Sequence, residues 1–255
     1  MESISVGTKI VSILEDFGVD TIFGIPGVHT IEMYRGLTTS RIRHITARHE
    51  QGAGFMADGY ARVSGKPGVC LVITGPGITN VLTPMGQALA DSIPLLILST
   101  VNSISKEEKI VGPLHDLPNQ EMLVKQVALA SFTLKAPKDI DSIILKAFST
   151  MLSKRPGPVH IQIPIKLLTK PAEKMNSITP KRKLRKSIPK RQIDLIRNII
   201  DNSKDPLILI GGGAQSAKLS IKKLVEKLHC PVISTINARD ILGAHPLHIP
   251  GSPSL

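Results

Sequence analysis

Glu50 follows His49 directly and opens a helical segment of small and apolar residues. A carboxyl group set among Gly52, Ala53 and Phe55 would be partly dehydrated, and desolvation favours the protonated form of an acid. Such an acid can hold or share a proton near neutral pH, as general acid-base chemistry requires. An acid in the first turn of a helix also interacts favourably with the helix dipole. The segment alone therefore leaves a chemical and a purely structural interpretation open.

Two loops elsewhere in the chain share one pattern, in which a short apolar strand runs into Gly and Pro. They lie at residues 23–27 (Phe-Gly-Ile-Pro-Gly) and 72–77 (Val-Ile-Thr-Gly-Pro-Gly). Each predicts a buried strand that leads through a tight turn to the start of a helix. Because ligands bind at the carboxyl ends of the strands in open parallel α/β sheets, the two loops and Glu50 indicate one candidate site.

The wider pattern supports such a sheet. Predicted strands at residues 21–23, 43–47, 69–73, 95–99, 131–134 and 159–163 alternate with predicted helices at 5–17, 30–37, 50–62, 78–91 and 139–154. This alternation predicts a doubly wound parallel sheet covered by helices on both faces. Residues 106–126 are polar and irregular, which predicts a loop that faces the site. Helices at 192–202 and 218–228, with strands at 206–210 and 231–235, predict a second, incomplete α/β domain.

Five motifs follow one another in the sequence. They are residues 23–27, residues 48–50 with 57–62, residues 74–80, residues 90–95 and residues 155–161. Through them the chain resembles the pyrimidine-binding domain of thiamine-diphosphate enzymes of the acetolactate synthase and 2-oxoacid decarboxylase group. Residues 206–213, 231–237 and 245–247 resemble the start of the central domain of that group. The resemblance implies domains at residues 1–170 and 192–255, joined by a linker at 171–191.

The resemblance implies a role for several residues. In the group, a Glu at the position of Glu50 hydrogen-bonds the pyrimidine ring nitrogen of thiamine diphosphate and so begins the proton relay that activates this cofactor. Ile25 and Pro26 match the loop that packs near the cofactor, and Pro76 and Asn80 match contacts on the pyrimidine side.

Further positions match the cofactor and substrate side of the site. Gln120 matches a Gln directed toward cofactor and substrate, with an ordinary exposed amide as the alternative. Gly27, Val28, His29 and His115 match the substrate pocket, where the two histidines would either donate protons or simply be solvated.

The group holds the diphosphate and Mg²⁺ with a Gly-Asp-Gly motif followed by Asn, in a third domain, and this sequence contains no such motif. We therefore expect no metal ligand in this chain, and a fragment or half of a split enzyme that is inactive alone. An active form would be a homodimer or tetramer, or would include a complementing chain that carries the diphosphate domain. FAD binding stays open, although Ser216 stands where a dinucleotide loop requires Gly or Ala.

Residues 28–37 and 245–255 look most like the branch of 5-guanidino-2-oxopentanoate decarboxylases. A guanidinium substrate needs a facing carboxylate, for which Asp116 and Glu121 are candidates. Acetolactate synthase, which uses a second 2-oxoacid as acceptor, is the alternative within the group. A non-catalytic binding or regulatory partner is the alternative of another class.

Composition sets the remaining expectations. The 255 residues are 42% hydrophobic, enough for a packed core, and carry a formal charge of +12. Seven basic residues fall within 181–191, which favours a solvated linker over a nucleic-acid-binding arm because no aromatic residues are interleaved. No apolar run is long enough to span a bilayer and residues 1–6 lack a signal pattern, so we expect a cytoplasmic protein without membrane contact.

Overall fold

The structure is a computed structural model that describes residues 3–102, 113–153, 155–173 and 187–249. Its internal contacts divide the chain into two compact units, Met1–Arg182 and Lys183–Leu255. This division falls inside the predicted linker at residues 171–191. Most of that linker, including basic residues 181–186, lies outside the described residues.

The first unit alternates strands and helices. In chain order its elements are β1 (Ser3–Ser5), α1 (Val6–Asp16), β2 (Thr21–Gly24), α2 (Ile31–Thr38), β3 (Arg43–Thr46), α3 (Glu50–Ser64), β4 (Gly68–Val72), α4 (Pro76–Asp91), β5 (Leu95–Val101), α5 (Gln120–Lys125), β6 (Ala130–Thr133), α6 (Ile140–Met151), β7 (Pro158–Pro164), α7 (Ile165–Leu168) and β8 (Pro171–Glu173). Six of the strands form one parallel sheet in the spatial order β3-β2-β4-β5-β7-β6. The predicted α/β class with a parallel sheet is confirmed.

Both faces of the sheet are covered. Strands β4, β5 and β7 are buried along their whole length, as expected when helices lie on both sides of a parallel sheet. An apolar cluster under α1, α2 and α6 fills one side, and a second cluster under α3, α4 and α5 fills the other. The described helices between successive strands thus lie across the two faces of the sheet, and the described loops that follow the strands lie at their carboxyl ends.

Two features of this unit differ from the sequence prediction. Residues 171–173, assigned to the linker, form β8, which pairs antiparallel with β1. Three-residue strands are too short to show a periodic pattern, so neither was predicted. Helix α5 lies inside the segment predicted as an irregular loop, and residues 106–112 of that segment lie outside the described residues. Its signal was Asn119, which caps α5 by accepting a hydrogen bond from the Met122 N–H at 3.0 Å.

The second unit repeats the strand-helix-strand order. Its described elements are α8 (Lys190–Asp201), β9 (Ile208–Ile210), α9 (Lys218–Leu228) and β10 (Val232–Ser234). Strands β9 and β10 pair in parallel and pack with Val225 of α9 in a small apolar cluster. Among the described helices of the chain, none combines the length and the apolar character that a membrane span requires.

Candidate functional site

Helices α3 and α4 pack closely because Gly54 leaves no side chain between them. A Cβ atom at Gly54 would lie 2.4 Å from Cγ of Pro84 and 2.8 Å from Cγ2 of Val81. Toward the other end of the helix pair, Arg62 donates hydrogen bonds to Asp58 at 2.6 Å and Asp91 at 2.7 Å. These contacts hold the two helices side by side along their length.

This packing brings Glu50, the first residue of α3, against Asn80 in the second turn of α4. The Asn80 Nδ2 atom donates a hydrogen bond of 2.9 Å to Oε2 of Glu50, which is half-buried. The other carboxylate oxygen, Oε1, has no hydrogen-bond partner within the described part of the chain. Burial, and after it the nearby Glu50 charge, raise the pKa of the Cys70 thiol in β4. Glu50 is therefore oriented through one oxygen and leaves the other available.

The surroundings of Glu50 differ from the sequence prediction. Ala53 is fully buried, but Gly52 is exposed and the Phe55 side chain is 41% exposed. The helical period explains the difference, because residues 53, 54, 57, 58 and 61 form the face of α3 that packs on the protein. Residues 52, 55 and 56 consequently point away from it. The prediction that Gly52 and Phe55 shield the carboxyl group is wrong for this chain by itself.

Three loops meet at the N-terminal end of α4. Gly27, after β2, packs on Ile73, since a Cβ atom at Gly27 would lie 2.6 Å from Cγ2 of Ile73. Gly75 has a φ of 62° and touches the third loop, because its Cβ atom would lie 2.3 Å from the carbonyl oxygen of His115. A left-handed backbone without space for a side chain requires glycine here. The loops after β2 and β4 and the 113–115 segment thus form one surface.

The two predicted histidines lie together on this surface. The ring centroids of His29 and His115 are 5.8 Å apart, and the rings meet edge to face at 74°. Among the described residues, neither buried Nδ1 atom has a hydrogen-bond partner. Burial, and then the neighbouring His115, lower the pKa of His29. A neutral imidazole can accept or donate a hydrogen bond, but both Nδ1 atoms are buried, so a polar ligand would have to bind this pair through the Nε2 atoms.

The other predicted contacts line the same loops. Ile25 packs on the apolar cluster beneath α3 and α4. Pro26, Pro76 and Val28 are exposed, with 76% of Val28 accessible. Pro76 occupies the first position of α4, where a missing backbone N–H costs no helical hydrogen bond.

Gln120 is buried, with 2% of its surface exposed, so the alternative of an exposed amide is wrong. Its Nε2 atom donates to three acceptors on two strands, namely Ser99 Oγ at 3.0 Å and the Thr100 carbonyl oxygen at 2.9 Å on β5 and Gln162 Oε1 at 3.2 Å on β7. Its Oε1 atom accepts from Thr74 Oγ1 at 3.1 Å and the Gly75 N–H at 3.2 Å. In this structure the whole amide is engaged with the protein.

His160, in the middle of β7, extends this group of buried polar side chains. Its Nε2 lies 2.7 Å from Ser99 Oγ, and its Nδ1 lies 2.7 Å from Ser131 Oγ. Burial lowers the pKa of His160 to about 3. Sequence reasoning assigned it no role, although His160 and Gln162 alternate with apolar residues along β7. Polar residues with strand periodicity inside a buried strand were the available signal.

Asp116 and Glu121, the two carboxylates predicted to face a guanidinium substrate, differ in whether they are already paired. Asp116 is exposed, next to His115. Glu121 accepts hydrogen bonds of 2.6 Å from both Thr133 Oγ1 and Lys125 Nζ, so it is already paired within the unit. No group of three or more His, Cys, Asp or Glu side chains that suits a metal ion occurs in the described ranges.

The candidate residues on these loops and helices define one site. Glu50 has one carboxylate oxygen without a hydrogen-bond partner among the described residues, and the surface where the three loops meet carries the exposed Pro26 and Pro76. A site at the carboxyl edge of a parallel sheet is typical of ligand-binding α/β domains. Residues 4–129 match the thiamine pyrophosphate enzyme N-terminal TPP binding domain, and residues 193–253 match the thiamine pyrophosphate enzyme central domain. The chain belongs to the thiamine pyrophosphate enzyme family.

Several curated proteins resemble the chain over nearly all of its length. A "Probable 2-ketoarginine decarboxylase" of Pseudomonas aeruginosa is 43% identical over 242 residues, which cover 94% of this chain and 43% of that protein. The acetolactate synthase isozyme 3 large subunit of Escherichia coli is 36% identical, over 96% of this chain and 43% of that protein. The chloroplastic acetolactate synthase of Arabidopsis thaliana is 32% identical, over 93% of this chain and 35% of that protein. The chain spans less than half the length of these relatives.

Proposed function

We propose that this chain supplies the pyrimidine side of a thiamine diphosphate site in a 2-oxoacid decarboxylase, with a guanidinium-bearing 2-oxoacid such as 2-ketoarginine as substrate. The observation that carries the proposal is the Asn80 hydrogen bond of 2.9 Å to Oε2 of Glu50. It leaves the other oxygen of an oriented, half-buried carboxyl group for a ligand, at the edge of the sheet where ligands bind.

Each residue of the chain has a specific task in this proposal. Glu50 exchanges a proton with the ring nitrogen of the pyrimidine, and Asn80 holds the carboxyl group in place. Ile25, Pro26 and Pro76 contact the flat faces of the ring, while the buried turn at Gly75 sets the position of Pro76. When bound, thiamine diphosphate supplies the carbon nucleophile and electron sink that 2-oxoacid decarboxylation requires.

The substrate would lie beside the histidine pair. The half-buried rings of His29 and His115 would offer their Nε2 atoms to the polar atoms of a 2-oxoacid, and Gly27 and Val28 would form the adjacent wall. Asp116 is the carboxylate available to a guanidinium group, because Glu121 is held by Lys125 and Thr133. Similarity to the Pseudomonas aeruginosa protein supports this substrate class. Acetolactate synthase is the second candidate, and similarity to the Escherichia coli large subunit supports it.

The proposal requires further protein. Mg²⁺ and the diphosphate need oxygen ligands, and we propose that a domain with the Gly-Asp-Gly motif provides them, so that this chain alone has no turnover. FAD binding is left to experiment. A second copy would cover the outer face of α3, where residues 52, 55, 56, 59 and 63 lie on one side of the helix and Phe55, Met56 and Val63 are exposed. Clustered apolar exposure of this kind is typical of an interaction surface.

The decisive test combines this chain with the C-terminal part of the Pseudomonas aeruginosa relative and measures hydrogen-deuterium exchange at C2 of thiamine diphosphate. Glu50→Gln should slow the exchange about 100-fold or more, because the amide cannot exchange a proton with the ring. Glu32→Gln is the matched control, since Glu32 lies on α2 and pairs with Arg35. Equal exchange rates for Glu50→Gln and the unchanged protein would contradict the proposal.

A separate measurement of substrate preference tests the proposed substrate class. The combined protein should release CO₂ from 2-ketoarginine with a higher kcat/KM than from pyruvate, and Asp116→Asn should lower that ratio about tenfold or more. Efficient formation of acetolactate from pyruvate, with no preference for the guanidinium compound, would favour the second candidate instead.

A further inference from the structure

One face of the sheet changes from apolar to polar toward the carboxyl ends of its strands. On β5, Leu95 and Ile97 belong to the apolar cluster under α3 to α5, while the next residue on that face is Ser99. On β7, His160 and Gln162 occupy the same face. These side chains are buried beneath Gln120 of α5, and buried polar groups remain in a core only when they are hydrogen-bonded.

The hydrogen bonds among them run in one direction. The backbone N–H of Gly75 can only donate, so the Gln120 atom that faces it must be the carbonyl Oε1. The amide nitrogen of Gln120 therefore faces Ser99 and donates to its Oγ at 3.0 Å. Ser99 Oγ has two acceptors for its own proton, the Thr100 carbonyl oxygen at 3.4 Å and His160 Nε2 at 2.7 Å, and the shorter contact favours the imidazole nitrogen. The remaining ring proton of a neutral His160 lies on Nδ1 and points to Ser131 Oγ at 2.7 Å.

We propose that His160 is a positioning residue, held as the neutral Nδ1–H tautomer, that orients Gln120 through Ser99 and thereby holds the Gly75 turn at the start of α4. The proposal rests on the proposed function, because this turn carries Pro76 and leads to Asn80, the partner of Glu50. His160 itself contacts no ligand. The Thr100 carbonyl oxygen also accepts from Gln120, so His160 reinforces an orientation that the backbone already favours.

The Gly75 turn needs such support from inside the protein. Its backbone has a φ of 62°, and its N–H group is buried beneath the surface where the three loops meet. If the amide of Gln120 rotated by half a turn, the Gly75 N–H and the Thr74 hydroxyl would both face an NH₂ group. Buried donors left without acceptors are costly. A side chain that fixes the direction of the hydrogen bonds therefore stabilises the shape of the turn as well as the core.

The tautomer can be measured directly by ¹⁵N nuclear magnetic resonance of the ring nitrogens in the full chain. At pH 7 we expect Nδ1 of His160 to be protonated and Nε2 to be unprotonated. Protonation of Nε2 instead would overturn the proposed direction of the hydrogen bonds. This result does not depend on any cofactor, so it separates the inference from the proposed function.

Two substitutions distinguish positioning from simple filling of the core. The amide of His160→Gln reaches the place of Nε2 and keeps an acceptor for Ser99, whereas that of His160→Asn reaches only the place of Nδ1 and keeps the contact to Ser131. We expect amide hydrogen exchange at Gly75 to be at least fivefold faster in His160→Asn and nearly unchanged in His160→Gln. Equal protection of Gly75 in both variants would overturn the proposal.

Ser99→Ala provides a second route to the same measurement if His160→Asn does not fold. It removes the hydroxyl between His160 and Gln120 and leaves the imidazole in the core. Exchange at Gly75 should again be at least fivefold faster. Unchanged exchange in Ser99→Ala would show that the turn does not depend on this connection and would overturn the proposal.

Discussion

The two faces of the six-stranded sheet use buried polar groups in different ways. The face under α1, α2 and α6 is apolar and holds an isolated ion pair, in which Lys9 Nζ lies 2.7 Å from Asp141 Oδ2 and the side chains are only 6% and 13% exposed. The face under α3 to α5 carries hydroxyl, amide and imidazole groups at the carboxyl ends of its strands.

The buried polar groups on the two faces hold different parts of the molecule in place. The Lys9–Asp141 pair joins α1 to α6, far in sequence from any predicted site residue, and Asp141 Oδ1 stays buried without a partner among the described residues. The group around Gln120 and His160 has its hydrogen bonds satisfied and ends at the Gly75 turn. Buried charge thus joins helices on the first face, whereas on the second face, where Arg62 also ties α3 to α4, neutral polar groups hold the loop geometry at the strand ends.

The largest effect is expected from breaking the ion pair. Lys9→Met leaves the Asp141 carboxylate buried without its cation and should lower the free energy of unfolding by about 3–5 kcal/mol. Urea unfolding followed by tyrosine fluorescence measures this in the first unit, because Tyr34 and Tyr60 are the two tyrosines and the chain has no tryptophan. The double variant with Asp141→Leu should recover most of the loss. A loss below about 1 kcal/mol for Lys9→Met would contradict the assignment of a desolvated pair.

A smaller effect is expected where α3 meets α4. Gly54→Ala places a methyl group 2.4 Å from Pro84 Cγ, and such overpacking costs about 1–3 kcal/mol. The separated helices should also weaken the Glu50–Asn80 hydrogen bond, which the side-chain amide resonances of Asn80 report.

Gly59→Ala is the matched control on the same helix, because a Cβ atom there has nothing within 4 Å. It should stabilise the chain by about 0.5–1 kcal/mol through the better helix propensity of alanine. If both substitutions gave the same change in stability, close packing at Gly54 would not be what sets the distance between the helices.

The smallest expected effect is the change in the free energy of unfolding with pH that His160 causes. The pKa of His160 is lowered by burial to about 3 in the folded chain, against about 6.5 for an unfolded histidine. Between these values the unfolded chain binds more protons, so the stability contributed by neutral His160 is complete above pH 6.5 and is lost as the pH falls toward 3. From pH 7 to 5.5, the unchanged chain should lose about 1 kcal/mol more than His160→Gln.

His29 and His44 also have lowered pKa values because they are partly buried. Both are present in the chain with and without His160→Gln, so their contributions cancel in the comparison. Identical stability losses between pH 7 and 5.5 would mean that His160 is not the group that titrates.

Much of the fold followed from local patterns in the sequence. The alternation of apolar strands and amphipathic helices predicted the parallel sheet, and the predicted strand at 95–99 lies within β5. The glycine-rich turns and Glu50 could be placed at one edge because parallel strands direct all their carboxyl ends the same way. Helix α5 escaped prediction because six residues in a polar segment show too little periodicity to distinguish a helix from a loop.

The sequence by itself determined the class of fold, the family and the position of Glu50 at the start of a helix, because these depend on periodicity and on motifs that are short and contiguous. Tertiary structure alone decided that Asn80 holds Glu50, that His29 meets His115, and that His160 lies behind Gln120. These partners are 30, 86 and 40 residues apart in the chain. Which residues adjoin on one face of the sheet can be known only once the spatial order of the strands is known. The prediction that Gly52 and Phe55 shield Glu50 was wrong for the same reason, since the side of α3 that becomes buried depends on what packs against it.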